Sequence, residues 1–299
     1  MLLSALQRTA QSKDISTAMV SAFKGLAKEM LPASVWTKLQ QARVRHNHKR
    51  HYKPRYVRHT YGGFPLTIHL TDFVAENWYD RDWKDMSEIE LLKRQRLRLG
   101  AKIFDVGAHQ GVVALAMARI VGPRGMVVAV EANSHNAAIA KENRDLNNAP
   151  QLVIVEAAAA EKSGTVFFNE ELNGSVAVGS GKEGRWLASC LSVDDLTVRY
   201  GVPDVLFIDV EGYEVKVLEG AAQTLKHRPD CFVEVHVGCG LETYGYSAES
   251  VVSFFRTGDY NLFIAEQNEA GAAKGFHPLE PDSCLPDERF FLIALNVQG

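Results

Sequence analysis

Three short stretches place side chains that could do chemistry at the ends of apolar runs. The first is Ile103-Phe104-Asp105-Val106-Gly107-Ala108-His109-Gln110-Gly111, an apolar strand, an acid and a glycine turn leading into a helical pattern at Val112. Gly107 and Gly111 allow a ligand close to the backbone, and the helix start supplies unpaired N–H groups. That is the form of a nucleotide site. A dinucleotide fingerprint spaces three glycines as G-x-G-x-x-G so that a pyrophosphate reaches the helix end; this chain has D-x-G-x-x-x-G instead. A carboxylate at Asp105 repels a pyrophosphate and attracts a cation. S-adenosylmethionine, with an ammonium, a sulfonium and no phosphate, meets that description. The second stretch, Val128-Ala129-Val130-Glu131, puts an acid twenty residues beyond Gly111. Such a carboxylate accepts both ribose hydroxyls, in NAD sites as well, so Glu131 indicates an adenosine ligand while Asp105 and the glycine spacing choose the cofactor. The third, Phe232 to His236, sets Glu234 and His236 two apart on one face of an apolar strand. Polar groups in a buried strand need a partner or a purpose.

The elements that must position these residues follow from periodicity. From Lys102 onward, short β-branched runs alternate with helical segments, the pattern of a mostly parallel sheet covered on both faces. Strands are expected at 102–106, 126–130, 152–155, 205–209, 231–236, 261–264 and 289–295, with an extra short strand at 165–168. Helices are expected at 112–121, 136–146, 215–225 and 247–256. The glycine-rich 174–184 reads as a mobile loop. In open sheets of this kind the ligand lies beyond the carboxyl ends of the strands, where Asp209, Glu211, Glu234 and His236 fall.

Before residue 100 the chain has a different character. Met19, Val20, Phe23, Leu26, Ala27, Met30 and Leu31 recur at helical spacing between a cap at Asp14 or Ser16 and the stop at Pro32. This amphipathic helix could pack on the core, pair two subunits as a homodimer, or lie as a peripheral contact on a membrane. A basic stretch follows: Met30 to Thr71 holds eight Lys and Arg and no Asp or Glu, with His46, His48, His51 and His59 among them, in a chain of net charge −3. Phe64 to Leu70 then alternates like a strand after Gly62-Gly63. We read 1–60 as an N-terminal helix and basic arm and 61–299 as the catalytic domain, its core at 101–299. With 46% hydrophobic and 23% charged residues the chain can bury a sizeable core. No apolar run reaches the roughly 20 residues that cross a bilayer, and Gln7 and Arg8 interrupt the opening apolar residues, so a cytoplasmic protein is expected. Cys190, Cys231, Cys239 and Cys284 form no C-x-x-C pair and read as reduced thiols.

The runs DVGAHQG at 105–111, AVEAN at 129–133, CLSVDDL at 190–196, IDVEGYE at 208–214 and FVEVHVG at 232–238 together resemble the FkbM family of S-adenosylmethionine-dependent methyltransferases, over roughly Ile103 to Phe255. The resemblance implies a class I methyltransferase fold: Rossmann-like, doubly wound, with a mostly parallel seven-stranded sheet of order 3-2-1-4-5-7-6 and an antiparallel last strand. It also implies O-methylation of a hydroxyl on a sugar, glycan or secondary metabolite. Asp105, Gly107, Ala108, His109 and Gly111 match the cofactor loop, Glu131 and Ala132 the ribose-binding stretch, and Asp209 and Glu211 the D-x-E-G motif. Phe207 stands where the family often has Lys, and Ala132 precedes Asn133 where Glu-Pro-Asn is more usual.

Methyl transfer to a hydroxyl requires alignment of acceptor and methyl and loss of a proton. We expect His236 as general base, oriented by Glu234 or Asp209. Two other readings of His236 stand beside it: a structural histidine, or a ligand with Asp209 and Glu211 for a divalent metal, which is not the favoured one and for which no site is assigned. Glu214 reads as the start of a helix, where an acid suits the dipole. The aromatic run from Trp78 to Trp83 could close over the acceptor with Tyr79 and Trp83, and Glu211 could touch it. Two further classes are weighed. A nucleic-acid methyltransferase would use the basic arm and its tyrosines, but base-directed enzymes carry D/N-P-P-aromatic where this chain has Asp209-Val210-Glu211-Gly212. A non-catalytic module would bind S-adenosylmethionine without turnover.

Overall fold

Runs such as Lys102–Val106 and Val205–Ile208 bury both alternating faces, which only a sheet covered on each side can satisfy. The computed structural model describes residues 52–84, 86–169, 176, 185–267, 273, 275–281 and 283–298. The amphipathic helix of 16–31, its homodimer and membrane contacts, the basic residues up to His51 and, Val176 apart, the 174–184 loop lie outside the described residues. The body of the chain is the unit Pro54–Gly299.

Its sheet contains β3 (Lys102–Val106), β4 (Met126–Glu131), β5 (Leu152–Glu156), β9 (Val205–Ile208), β10 (Asp230–Val235), β11 (Tyr260–Glu266), β12 (His277–Pro278) and β13 (Phe290–Asn296). The order is β12-β11-β13-β10-β9-β3-β4-β5. Counting β3, β4, β5, β9, β10, β11 and β13 as first to seventh, the order is 3-2-1-4-5-7-6, as expected. The seventh strand runs antiparallel between its neighbours, and the two-residue β12 is an addition at the edge. Ile103, Ala129, Phe207 and Phe232 bury on one face, while Phe104, Val128, Leu206 and Val233 bury on the other. Phe207 stacks on Phe232 with centroids 4.0 Å apart. This stack fills the centre of the sheet.

The helices are α1 (Phe73–Tyr79), α2 (Ser87–Lys93), α3 (Val112–Val121), α4 (Ser134–Leu146), α5 (Val193–Tyr200), α6 (Glu214–Glu219) and α7 (Ala248–Val252). Asn133 caps α4 by accepting from His135 and Asn136 N–H, and Ser192 with Asp195 forms a capping box on α5. The helices expected at 215–225 and 247–256 are shorter, because Gly220 and Ser253 follow their last α-helical residues. No described helix is long and apolar enough to cross a membrane.

Two features outside the main sheet shape the site. β1 (Arg55–Tyr61) and β2 (Phe64–Leu70) form an antiparallel hairpin, so the end of the basic stretch is a strand. Its edge is satisfied by side chains at the end of α4: Asn147, its C-cap, accepts from Thr67 N–H at 2.9 Å and donates to Thr67 C=O at 2.7 Å, and Asn143 accepts from His69 N–H at 2.8 Å. This docking carries the chain into α1, capped by Asp72. The second feature is a small sheet of β6 (Ala158–Ala159), β8 (Arg185–Leu191) and β7 (Gly164–Asn169), with Phe168 stacked on Trp186 at 5.2 Å.

Candidate active site

Where the parallel strands end, the backbone turns create an open cleft, the place where open sheets of this kind bind their ligands. The first wall is the loop after β3. Gly107 has φ 92°, and a Cβ built there would lie 1.7 Å from the Asp209 carbonyl oxygen. Gly111, at φ 76°, would press a Cβ against Ala140 at 3.0 Å. Both glycines are therefore required by neighbouring protein, the end of β9 and helix α4, rather than only by an approaching ligand. His109 takes φ 49°, a conformation uncommon for a non-glycine residue. Its N–H thereby donates to Glu131 Oε2 at 2.8 Å, while Asn133 N–H donates to Oε1 at 2.7 Å.

Two backbone donors thus fix the Glu131 carboxylate, and the residue lines the cleft. Burial pushes its pKa up to about 7, with Asp105 adding repulsion and the N–H donors of Asn133 and His109 opposing. Asp105 is 2% exposed with Oδ2 lacking a partner, and burial raises it to about 7 as well. Asp105, Ala108 and Gly111 do not line the cleft; Gly107, His109, Glu131 and Ala132 do. Burial holds the His109 imidazole neutral, pulling its pKa down to about 4 against the carboxylates of Asp72 and Glu211. The Tyr79 hydroxyl meets His109 Nδ1 at 3.0 Å, and burial, then Asp209, Asp105 and Glu131, keep that phenol protonated.

The second wall comes from the ends of β9 and β10. Asp209, Glu211 and Glu234 line it with Arg289. Behind them His236 is 1% exposed. Its Nδ1 lies 2.6 Å from Glu214 Oε1, and its Nε2 lies 3.4 Å from Glu211, 3.6 Å from Asp209 and 3.9 Å from Glu234. The orienting partner is therefore Glu214, neither Glu234 nor Asp209. Glu214 does begin α6, but it is fully buried and also accepts the Gly212 N–H at 2.9 Å. Burial opposes the charged imidazole, yet the Glu214 hydrogen bond and the charges of Asp209, Glu214 and Glu211 outweigh it and raise His236 to about 9. Asp209 is held well above the usual carboxylate range by loss of solvent and by Glu234, and burial brings Glu234 to about 7 against the pull of Arg289.

Tyr79 stands on the cleft wall beside Trp78, whereas Trp83 does not line it. Trp83 packs behind, edge-on to Tyr61 at 5.6 Å and tilted to Tyr79 at 5.9 Å, with its indole N–H on the Trp78 carbonyl. Sequence reasoning missed Phe168, Tyr213 and Arg289, which also line the cleft. Phe168 and Tyr213 carry no polar spacing that would mark them, and Arg289 lies at the far end of the chain, where it reads only as the first residue of the last expected strand.

The lining carboxylates Glu131, Asp209, Glu211 and Glu234 face one guanidinium, Arg289, among the described lining residues. That wall suits a cationic nucleoside and repels a pyrophosphate. With Glu131 anchored by two backbone N–H groups, the cleft fits S-adenosylmethionine.

The sheet order 3-2-1-4-5-7-6, with an acid-tipped second strand and a cleft at the carboxyl ends, defines the class I methyltransferase fold. A family model described as the methyltransferase FkbM domain matches residues 105–262. The chain belongs to the FkbM methyltransferase family. A second model, for protein-L-isoaspartate(D-aspartate) O-methyltransferase, matches residues 37–163. The chain is 29% identical over 171 residues to the hexuronic acid methyltransferase AglP of Haloferax volcanii, covering 55% of this chain and 68% of that protein. Among solved structures it is similar to methyltransferase FkbM from Methylobacillus flagellatus KT, with TM-score 0.45 and 16% identity; the match covers 70% of this chain and 48%, about half, of that one. It is also similar to Aeropyrum pernix fibrillarin with natively bound S-adenosyl-L-methionine, with TM-score 0.41 and 14% identity over 82% of this chain and 83% of that one.

Proposed function

We propose that this methyltransferase takes its methyl group from S-adenosylmethionine and delivers it to a hydroxyl of a sugar, glycan or related small molecule. The observation that carries the reading is one continuous cleft running from the anchored carboxylate of Glu131 to the acidic wall of Asp209, Glu211 and Glu234. The similarity to a hexuronic acid methyltransferase supports a sugar acceptor.

Glu131 accepts the ribose hydroxyls on oxygens already aimed by two backbone N–H groups, so little ordering entropy is lost on binding. Gly107 to His109 carry the cofactor backbone, and Ala132 offers apolar contact. Bound S-adenosylmethionine supplies an electrophilic methyl on a positively charged sulfur. Tyr79 and Trp78 position the acceptor at the cleft mouth and exclude water. The acceptor proton passes to a carboxylate of the Asp209 and Glu211 pair, both of which line the cleft. His236, clamped by Glu214, keeps that pair in place from behind. The acidic wall, and the absence of D/N-P-P-aromatic after β9, argue against a nucleic-acid acceptor.

Calorimetric titration with S-adenosylmethionine and S-adenosylhomocysteine tests the cofactor half. We expect micromolar binding to wild type and loss of at least 10-fold in Glu131→Ala, on the basis that two charge-assisted hydrogen bonds contribute about 1.5 kcal/mol or more each. Turnover against hexuronic acids and neutral sugars then tests the acceptor half. A folded chain that binds neither ligand would sink the proposal.

A further inference from the structure

His236 Nε2 is buried, has no hydrogen-bond partner and faces three carboxylates. We propose that Asp209, Glu234 and His236 are ligands of a divalent cation of the Mg²⁺ and Mn²⁺ class, to which the acceptor hydroxyl also binds. The role given to the acceptor rests on the methyl-transfer reading above; the ion site itself rests on geometry.

Ligand atoms of Asp209, Glu234 and His236 all lie within 4.8 Å of one another. Around His236 Nε2 the carboxylate oxygens stand at 3.4 to 3.9 Å. A metal–ligand bond of about 2.1 Å sets neighbouring ligands about 3.0 Å apart in an octahedron and about 3.4 Å apart in a tetrahedron. The observed gaps are within reach of small side-chain rotations. The second, independent observation is Nε2 itself: buried, in a residue 1% exposed, and without a hydrogen-bond partner. Glu214 Oε1, in a residue with no exposure, engages Nδ1 at 2.6 Å and is itself held by the Gly212 N–H. That contact keeps one ring proton on Nδ1 and turns Nε2 toward three carboxylates, where a bound cation would take the place of the second ring proton. A carboxylate orienting a histidine whose other nitrogen binds metal is the usual outer-sphere support of such sites.

The turn bearing the donors is built rather than loose. Glu211 is held at φ 51°, and Gly212 fits so closely that a Cβ would lie 2.4 Å from the Gly240 carbonyl carbon. Local charge agrees: four carboxylates surround His236, and one guanidinium, Arg289, pairs with Glu234 at 3.2 Å. The carboxylate oxygens suit Mg²⁺ and Mn²⁺, and Mn²⁺ is the one of the two that also accepts an imidazole. An acceptor hydroxyl bound to the ion gives its proton to Glu211. Its oxygen then forms the O–CH₃ bond as the C–S bond breaks, and that electron pair stays on sulfur, turning the sulfonium into the neutral thioether of S-adenosylhomocysteine.

The test is Mn²⁺ titration of the EDTA-stripped full chain, followed by loss of the free-ion electron paramagnetic resonance signal, in wild type, Asp209→Asn, Glu234→Gln and Glu214→Gln. Binding of S-adenosylhomocysteine to each variant confirms that it is folded. We expect one saturable Mn²⁺ per chain in wild type, weakened by about 10-fold or more in all three variants. Absence of saturable binding at millimolar Mn²⁺ in a chain that binds S-adenosylhomocysteine overturns the ion site, as does wild-type Mn²⁺ affinity in both Asp209→Asn and Glu234→Gln. Those results leave the methyltransferase reading standing. Mn²⁺ binding without any affinity for S-adenosylhomocysteine would instead keep the ion and remove the function proposed for it.

Discussion

Replacing Gly107 by alanine isolates the contact that joins the cofactor loop to the acidic wall, because a second glycine provides an internal control. Gly107 and Gly100 have similar φ, 92° and 83°, but a Cβ at Gly100 meets nothing within 4 Å while one at Gly107 lies 1.7 Å from the Asp209 carbonyl oxygen. Gly100→Ala therefore reports the backbone strain alone, about 1–2 kcal/mol. Gly107→Ala adds a forced separation of about 1.7 Å to reach ordinary contact. That movement breaks or stretches the hydrogen bond from Asp209 N–H to Val106 C=O, now 2.9 Å, worth about 1 kcal/mol. It also disturbs packing along β3 and β9, so the total is about 3 kcal/mol or more. For a unit of this size a kilocalorie shifts the midpoint by about 2–4 °C. Gly107→Ala should melt about 6–12 °C below wild type and Gly100→Ala about 2–8 °C below, with S-adenosylhomocysteine affinity lost only in the former. Calorimetric melting and titration of the three proteins measure both quantities. If Gly107→Ala melts with Gly100→Ala and binds like wild type, the close approach of loop and strand does not hold.

Further outcomes follow from burial. Asp105 takes up its proton at about 7 in the fold against 3.8 in an unfolded chain, so the native state binds the extra proton between those values and the ionised group costs stability above them. Relative to wild type, Asp105→Asn should gain stability as pH rises from about 4 to about 7, by up to a few kcal/mol; melts across that range that show a constant difference would contradict it. Tyr79→Ala should reduce kcat/KM for the acceptor by about 10-fold or more with little change in S-adenosylhomocysteine affinity, whereas Trp83→Ala should act through stability, lowering the melting temperature and sparing kcat. Steady-state kinetics beside thermal unfolding separates the two, and matching kinetic losses without loss of stability in Trp83→Ala would place that ring in the cleft after all.

The sequence by itself determined the elements whose signal is local. Short apolar β-branched runs located all seven strands that make the 3-2-1-4-5-7-6 sheet, because a strand buried on both faces must be apolar along its length whatever surrounds it. The family motifs from Asp105 to Gly238 named the methyltransferase family and the order of the sheet. Asp105, Gly107, Glu131, Asp209 and Glu234 could be singled out because an acid or glycine at the end of an apolar run is conspicuous in one dimension. Only the tertiary structure decided how these residues meet. His236 pairs with Glu214, 22 residues away, and not with the expected neighbours. Asn143 and Asn147 reach 74 and 80 residues back to hold the β1–β2 hairpin that delivers Tyr79 to the cleft. Trp83 turns behind Tyr79, and Gly111 packs closely on Ala140 of α4. None of these pairings leaves a periodic trace, since each depends on loop closure and on which buried polar group finds a partner when the layers pack.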